Sequence, residues 1–243
     1  MAKIAVLKER ASGEARVAAT AETVKKFVSL GATVSVETGA GLSAGVSDAD
    51  YTAAGAKIGS AADCLTKADI ILGVQGPEPK LLASAPKGAW VVASLDPFGQ
   101  RARVDAYAKA GVDALAMDFM PRITRAQSMD ILSSQSNLAG YKAVIDAAAA
   151  YGRAFPMMMT AAGTISAARA FIMGVGVAGL QAIATARRLG AIVTATDVRP
   201  ATKEQVQSLG AKFVAVEDGE FTAAETAGGY AKEMSAEYRA KQA

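Results

Sequence analysis

Residues 169–197 read RAFIMGVGVAGLQAIATARRLGAIVTATD, with a glycine-rich turn between two apolar, strand-like runs. The turn at residues 174–179 has the spacing GxGxxG, and the run LQAIATARRL that follows it predicts a helix. A strand, a glycine turn, a helix and a second strand in this order are typical of the first βαβ unit of a Rossmann-type domain. The segment therefore predicts a parallel sheet with the turn at the carboxyl end of its first strand.

Each glycine of the turn has its own predicted role. Gly174 permits the tight bend, Gly176 lets the backbone approach a pyrophosphate, and Gly179 lets helix and strand pack closely. The helix that follows offers free N–H groups and the positive end of its dipole to phosphates. Val177, in the middle of the turn, is expected to cover the pyrophosphate or the adenosine side. The alternative is that the turn only connects a strand to a helix.

An acidic residue ends the second strand of this segment. Asp197 follows Gly179 by 18 residues, where a carboxylate accepts hydrogen bonds from the adenosine ribose hydroxyls. A ribose 2′-phosphate would be repelled there, so the sequence predicts NAD(H) rather than NADP(H). Val198 and Arg199 come next and belong to the predicted cofactor site, although the positive charge of Arg199 weakens the preference slightly.

Apolar runs and helical runs alternate along the rest of the chain, which predicts parallel sheets with right-handed crossovers. The predicted fold class is α/β, with two Rossmann-like parallel-sheet domains joined by a long helix. We place the N-terminal domain at residues 1–125, the linking helix at 126–152 and the NAD-binding domain at 153–243. The last of these supplies one βαβαβ half of a dinucleotide fold, so we expect its C-terminal half to be missing.

The 243 residues include no histidine and one cysteine, Cys64. This composition excludes histidine metal sites, Ser-His-Asp and Cys-His nucleophiles, and every histidine general acid or base. We expect no metal site. Acidic and basic residues are nearly balanced, at 23 and 26, which is not typical of a nucleic-acid-binding protein. The N-terminus does not resemble a signal peptide, and we expect a soluble chain.

Four further stretches carry a family resemblance. Residues 120–141 read MPRITRAQSMDILSSQSNLAGY, 155–164 read FPMMMTAAGT, 195–199 read ATDVR, and 225–234 read ETAGGYAKEM. With them the chain closely resembles the NAD(H)-binding component (domain I, alpha subunit) of proton-translocating NAD(P)+ transhydrogenases, over essentially its whole length. Alanine dehydrogenase shares this two-domain fold.

The resemblance implies a second group of site residues at the nicotinamide end. Arg122 and Asp130 would position the ring without exchanging protons, and Gln127 and Ser133 would donate or accept neutral hydrogen bonds. Gly229 and Tyr230 match a loop that closes over bound nucleotide in the family. The alternatives are a solvated helix start for the first four residues and a plain turn for the loop.

The resemblance also implies a reaction and its partners. Hydride would pass directly from NADH to NADP+ held by a partner component, and a membrane proton-channel component would couple this transfer to proton translocation. Such a transfer needs no proton carrier at the reacting carbon, which suits a chain without histidine. The family further implies a homodimer that is cytoplasmic and associates with the inner membrane through its partner subunits.

Two other functions stay open at this stage. A non-catalytic NAD-binding or dimerisation fragment would share the glycine turn. An alanine dehydrogenase-like enzyme would keep Arg16, but that pattern has a histidine where residues 94–99 read SLDPFG. It also has a substrate-binding lysine where this chain has Gln75. Two expected catalytic residues are therefore absent.

Overall fold

A computed structural model of the chain describes residues 1–121, 123–224 and 232–242. The chain divides into two compact units, Met1–Asp130 and Ile131–Ala243. Within the described ranges, no helix is both long enough and apolar enough to cross a bilayer.

The first unit contains a six-stranded parallel sheet, in the order β3-β2-β1-β4-β5-β6. Its strands are β1 (Lys3–Val6), β2 (Thr33–Glu37), β3 (Lys57–Gly59), β4 (Ile70–Gln75), β5 (Trp90–Ser94) and β6 (Asp113–Ala116). Its helices are α1 (Ala21–Ser29), α2 (Asp48–Ala53), α3 (Ala61–Leu65) and α4 (Arg101–Ala110), with short 3-10 turns at Leu42–Ala44, Pro79–Ser84, Met117–Phe119 and Thr124–Met129. The predicted parallel α/β architecture of this unit is confirmed.

Side chains of the central strand β1 point alternately to the two faces of the sheet. Ile4 and Val6 pack into one buried cluster with residues of β2, whereas Ala5 and Leu7 pack into a second cluster with residues of β4 and β5. Successive residues of a strand face opposite sides, so a continuous apolar run is what a strand buried on both faces needs. The sheet therefore has a core on each side.

The second unit is built around a three-stranded parallel sheet, in the order β11-β10-β9. In chain order its elements are α5 (Ile131–Ala150), β7 (Met158–Thr160), β8 (Gly163–Ile165), β9 (Arg169–Met173), α6 (Val177–Arg188), β10 (Ile192–Thr196), α7 (Thr202–Ser208), β11 (Lys212–Phe213), α8 (Gly219–Thr222) and α9 (Ala236–Gln242). β7 and β8 form a separate antiparallel hairpin. The predicted strand–turn–helix–strand order of residues 169–197 is confirmed.

The long helix differs from its prediction. The helical pattern predicts a helix from residue 125 or 126 to 150 or beyond, but residues Thr124–Met129 form a 3-10 turn and α5 begins at Ile131. Asp130 lies between them in an extended conformation, with φ −76° and ψ 95°. Aspartate favours such non-helical positions because its side chain competes for local backbone groups. The helix belongs to the second unit.

α5 and α6 pack against each other at very short range. Gly140 of α5 is buried, and a Cβ atom there would overlap the carbonyl oxygen of Ala178 in α6. One turn further along α5, Val144 enters the core cluster of the unit. A glycine inside a helix costs helix stability, so its presence is explained by the close approach of the two helices.

We predict that Gly140→Ala lowers the free energy of unfolding by about 2 kcal/mol or more, because the methyl group forces α5 away from α6. Thermal and urea denaturation measure this effect. An exposed helical glycine would give the opposite sign, a gain of up to about 1 kcal/mol. Gly219→Ala is the control, since a Cβ there meets nothing within 4 Å. Stabilisation by Gly140→Ala would contradict the packing described here.

Candidate functional site

The candidate site lies where β9 turns into α6. Gly174 ends the strand with φ +90°, a conformation that residues with a side chain rarely adopt. Its N–H donates a 2.9 Å hydrogen bond to the carbonyl oxygen of Thr196, the last residue of β10. The start of the turn is therefore attached to the end of the neighbouring strand.

The other two glycines of the turn have different surroundings. A Cβ on Gly179 would overlap the carbonyl oxygen of Gly174, so the close contact of helix and turn requires glycine there. A Cβ on Gly176 would meet no atom within 4 Å. Gly176 is the N-cap residue of α6, so it has no side chain to bond the first helical N–H groups. These donors and the open space beside Gly176 form a cradle suited to a phosphate.

Asp197 lies directly after β10 and is buried, with 9% of the residue exposed. Its Oδ2 accepts hydrogen bonds from the N–H of Val175 at 2.7 Å and from Nη2 of Arg199 at 2.9 Å. Its Oδ1 accepts from the N–H of Arg199 at 2.8 Å and from Nε of Arg199 at 2.9 Å. The carboxylate thus joins the glycine turn to the end of β10.

Two opposing effects act on the pKa of Asp197. Burial raises this pKa, because a charged carboxylate loses hydration. The hydrogen bonds from Arg199 and from the N–H of Val175 act in the opposite direction and prevail, so the pKa lies below its ordinary value. The carboxylate is therefore ionised at neutral pH and able to accept hydrogen bonds.

The structure brings together seven of the residues predicted from sequence. Val177 is the first residue of α6 and is partly exposed beside the turn, while Val198 is half-buried and packs against the core cluster of the unit. The full group is Gly174, Gly176, Val177, Gly179, Asp197, Val198 and Arg199. The ion pair of Asp197 with Arg199 was not predicted, although the spacing of the two residues was a usable signal.

The residues predicted for the nicotinamide end are distributed differently. Gln127 is exposed in the 3-10 turn before Asp130, and Asp130 is the last residue of the first unit. Ser133 lies in the first turn of α5, in the second unit. Arg122, Gly229 and Tyr230 lie outside the described residues. The roles of these six residues stay predictions.

The first unit has a crevice at the carboxyl ends of β1 and β4, where the strand order reverses. The crevice has a volume of about 190 Å³, and Glu9, Arg10 and Gln75 are among its lining residues. Open parallel sheets bind ligands at such positions. The carboxylate of Glu9 accepts the N–H groups of Val74 at 2.6 Å and Gln75 at 3.2 Å, so it is itself held by the end of β4.

Arg16, the residue that an alanine dehydrogenase pattern would keep, is bound to a neighbouring acid. Its Nε and Nη2 donate to the two carboxylate oxygens of Glu14 at 2.7 and 2.6 Å. Glu14 also accepts from Nε2 of Gln75 at 3.3 Å. Hydrogen bonding from Arg16 lowers the pKa of Glu14 to about 2. Arg16 therefore has a structural role in this chain.

Two family models match the chain almost end to end. The N-terminal domain of the alanine dehydrogenase/PNT family matches residues 5–139, which is more than half of the chain. The C-terminal domain of the same family matches residues 143–242.

The chain belongs to the alanine dehydrogenase/PNT family.

Within this family the chain is similar to transhydrogenase subunits. It is 58% identical to the first of the parts that make up NAD(P) transhydrogenase subunit alpha in Rhodospirillum rubrum, over 99% of this chain and 64% of the relative. The corresponding protein of Rickettsia prowazekii is 52% identical, over 99% and 63%. The alanine dehydrogenase of Halomonas elongata is 31% identical, over 80% and 53%. The chain thus spans less than two thirds of the length of these family members.

Solved structures give the same order of similarity. The transhydrogenase from Sinorhizobium meliloti is 60% identical and superposes with a TM-score of 0.84, over 87% of this chain and 64% of that one. An L-alanine dehydrogenase is 25% identical with a TM-score of 0.75, over 88% and 60%. The predicted resemblance to the transhydrogenase branch of this alanine dehydrogenase/PNT family is confirmed.

The depressed pKa of Glu14 predicts a pH dependence of stability. A carboxylate whose pKa is lower in the folded than in the unfolded state stabilises the fold above the unfolded value, near 4.3, and loses this contribution as pH falls towards the folded value. Glu14→Gln should therefore lower the melting temperature at pH 7, with a deficit that shrinks between about pH 5 and pH 2.

Thermal denaturation across this pH range measures the effect. Glu22→Gln is the matched control, because Glu22 lies on the surface of α1 with its carboxylate 3.9 Å from Lys26, and should change little at any pH. A deficit of constant size down to pH 2 would show that the Gln side chain disturbs packing rather than removing a charge interaction.

Proposed function

We propose that this chain is the NAD(H)-binding component of a proton-translocating NAD(P)+ transhydrogenase. The observation that carries the proposal is the glycine turn between β9 and α6 with the ionised Asp197 beside it. The cradle at Gly176 has the space and the N–H donors for a pyrophosphate, and Asp197 lies at the position of a ribose acceptor. The similarity to transhydrogenase alpha subunits supports the choice of reaction.

The proposed division of labour follows the two ends of the dinucleotide. The turn and the start of α6 bind the pyrophosphate, Val177 and Val198 flank the adenosine side, and Asp197 binds the ribose. When bound, the dihydronicotinamide of NADH supplies a hydride to C4 of NADP+ held by a partner component, giving NAD+ and NADPH with no net proton at the reacting carbons. Gln127, Asp130 and Ser133, with Arg122, orient the ring for this transfer. Gly229 and Tyr230 act as a lid.

The absence of histidine from all 243 residues agrees with this reaction. A dehydrogenase acting on an alcohol or an amino acid must move a proton with the hydride, for which histidine is the commonest carrier. Transfer between two nicotinamides requires no such group. The pairing of Arg16 with Glu14, and Gln75 in place of a lysine, argue against alanine dehydrogenase activity.

Further subunits complete the proposed assembly. An NADP-binding component docks at the nicotinamide end, and a membrane proton-channel component couples hydride transfer to proton movement. The chain would lie in the cytoplasm and reach the inner membrane through these subunits.

A homodimer has its own support in the β7–β8 hairpin. All residues of both strands are exposed, including Met158, Met159 and Ile165. A two-stranded hairpin is only marginally stable in water, and clustered exposed apolar side chains mark interaction surfaces. We propose that a second copy of the chain covers this hairpin.

Direct hydride transfer is tested with NADH carrying deuterium at C4. The chain is mixed with an NADP-binding transhydrogenase component and an NADP+ analogue, and the label should appear at C4 of the reduced analogue without loss to water. Asp130→Asn should bind NADH within about twofold of the wild type but transfer at least about tenfold more slowly, because the ring loses its alignment.

Asp146→Asn is the matched control, since Asp146 is an exposed residue of α5 that pairs with Lys142. It should leave both binding and transfer unchanged. Loss of the label to solvent, or no transfer at all, would overturn the proposed reaction. A full transfer rate in Asp130→Asn would remove Asp130 from the ring-positioning role.

A further inference from the structure

The carboxylate of Asp197 has no acceptor capacity left in this structure. A carboxylate offers about four lone-pair positions for hydrogen bonds. Here four donors approach it, one N–H of Val175 and three groups of Arg199, at distances of 2.7 to 2.9 Å. A ribose diol that is to bind Asp197 must therefore displace existing donors.

The four donors are not equally replaceable. The N–H groups of Val175 and Arg199 belong to the backbone at the ends of two paired strands and move only with the sheet. The guanidinium group of Arg199 lies on a flexible side chain that is 23% exposed. It donates in parallel to both oxygens of Asp197, through Nε and Nη2. A vicinal diol presents two O–H donors in a similar fork, so guanidinium and diol compete for the same two positions.

We propose that Arg199 is a positioning residue for dinucleotide binding, whose guanidinium holds the Asp197 carboxylate and is exchanged for the two adenosine ribose hydroxyls when NAD(H) binds. The inference rests on the proposed function of this site and adds a step to it. Before binding, Arg199 neutralises a buried charge and keeps the carboxylate oriented; its Nη2 also bonds the carbonyl oxygen of Val175 at 3.1 Å. A ribose 2′-phosphate cannot make the exchange, because a phosphate oxygen has no proton to donate to a carboxylate.

The exchange predicts an increase in affinity on removal of the guanidinium. Arg199→Met in the whole chain should bind NADH about three- to tenfold more tightly at pH 8, since binding no longer breaks an ion pair. The same variant should melt at a lower temperature without ligand, and saturating NADH should raise its melting temperature by more than it does in the wild type. Arg199→Lys keeps the charge without the fork, and its affinity should lie between the two.

Fluorescence titration with NADH measures these affinities, and Arg188→Met is the matched control, since Arg188 is an exposed residue in the last turn of α6. A double-mutant cycle with Asp197→Asn identifies the partner: when the carboxylate has been replaced by an amide, loss of the Arg199 side chain should no longer change NADH affinity.

Weaker NADH binding by Arg199→Met, with Arg199→Lys restoring it, would show that Arg199 contacts the dinucleotide and would overturn the exchange alone. An equal effect of Arg199→Met in the wild type and in Asp197→Asn would also overturn it. Failure of the wild type to bind NADH would overturn the proposed function together with this inference.

Discussion

The hydrogen bond from the N–H of Val175 to the carboxylate of Asp197, at 2.7 Å, joins the ends of β9 and β10. These strands run parallel, with Met173 opposite Thr196, so the residue after each strand end emerges at the same edge of the sheet. The bond fixes the first turn residues against the second strand and so sets the direction in which α6 begins. Gly179 allows the helix to start against the turn, and Gly140 allows α5 to lie against that helix. The packing of the unit thus follows from the geometry of one turn.

The same carboxylate explains why stability and binding are opposed at this site. A buried charge is costly unless it is paired and hydrogen-bonded, and Asp197 meets this requirement through Arg199. A ligand that needs Asp197 must replace what the fold already supplies. The chain therefore carries a preorganised acceptor whose free state is satisfied by its own side chain, rather than an exposed carboxylate waiting for a hydroxyl.

The parts of this arrangement that sequence predicts are those with local signals. The GxGxxG spacing, the helix after it and Asp197 at the end of the next strand are recognisable because each depends on neighbours in the chain. The hairpin at Met158–Thr160 and Gly163–Ile165 was missed, since its short strands carry no apolar–polar alternation. The start of α5 at Ile131 was missed because residues 125–130 are composed of good helix formers. The bonds of Arg199 to Asp197 depend on tertiary geometry, which sequence spacing suggests but does not determine.

In the first unit, a different sequence feature has a comparable explanation. Glu9 closes the end of β4 and Glu14 holds Arg16, so the charged groups at the strand-order reversal are satisfied within the unit. This leaves the glycine turn of the second unit as the place where backbone donors face open space. Dinucleotide binding is therefore assigned to that turn, and its selectivity to Asp197.

The most direct test of this assignment is a side-by-side titration of the chain with NADH and NADPH, followed by fluorescence. A buried, ionised Asp197 should accept ribose hydroxyls and repel a 2′-phosphate, so NADH should bind at least about tenfold more tightly than NADPH. Equal affinity, or a preference for NADPH, would contradict the central claim.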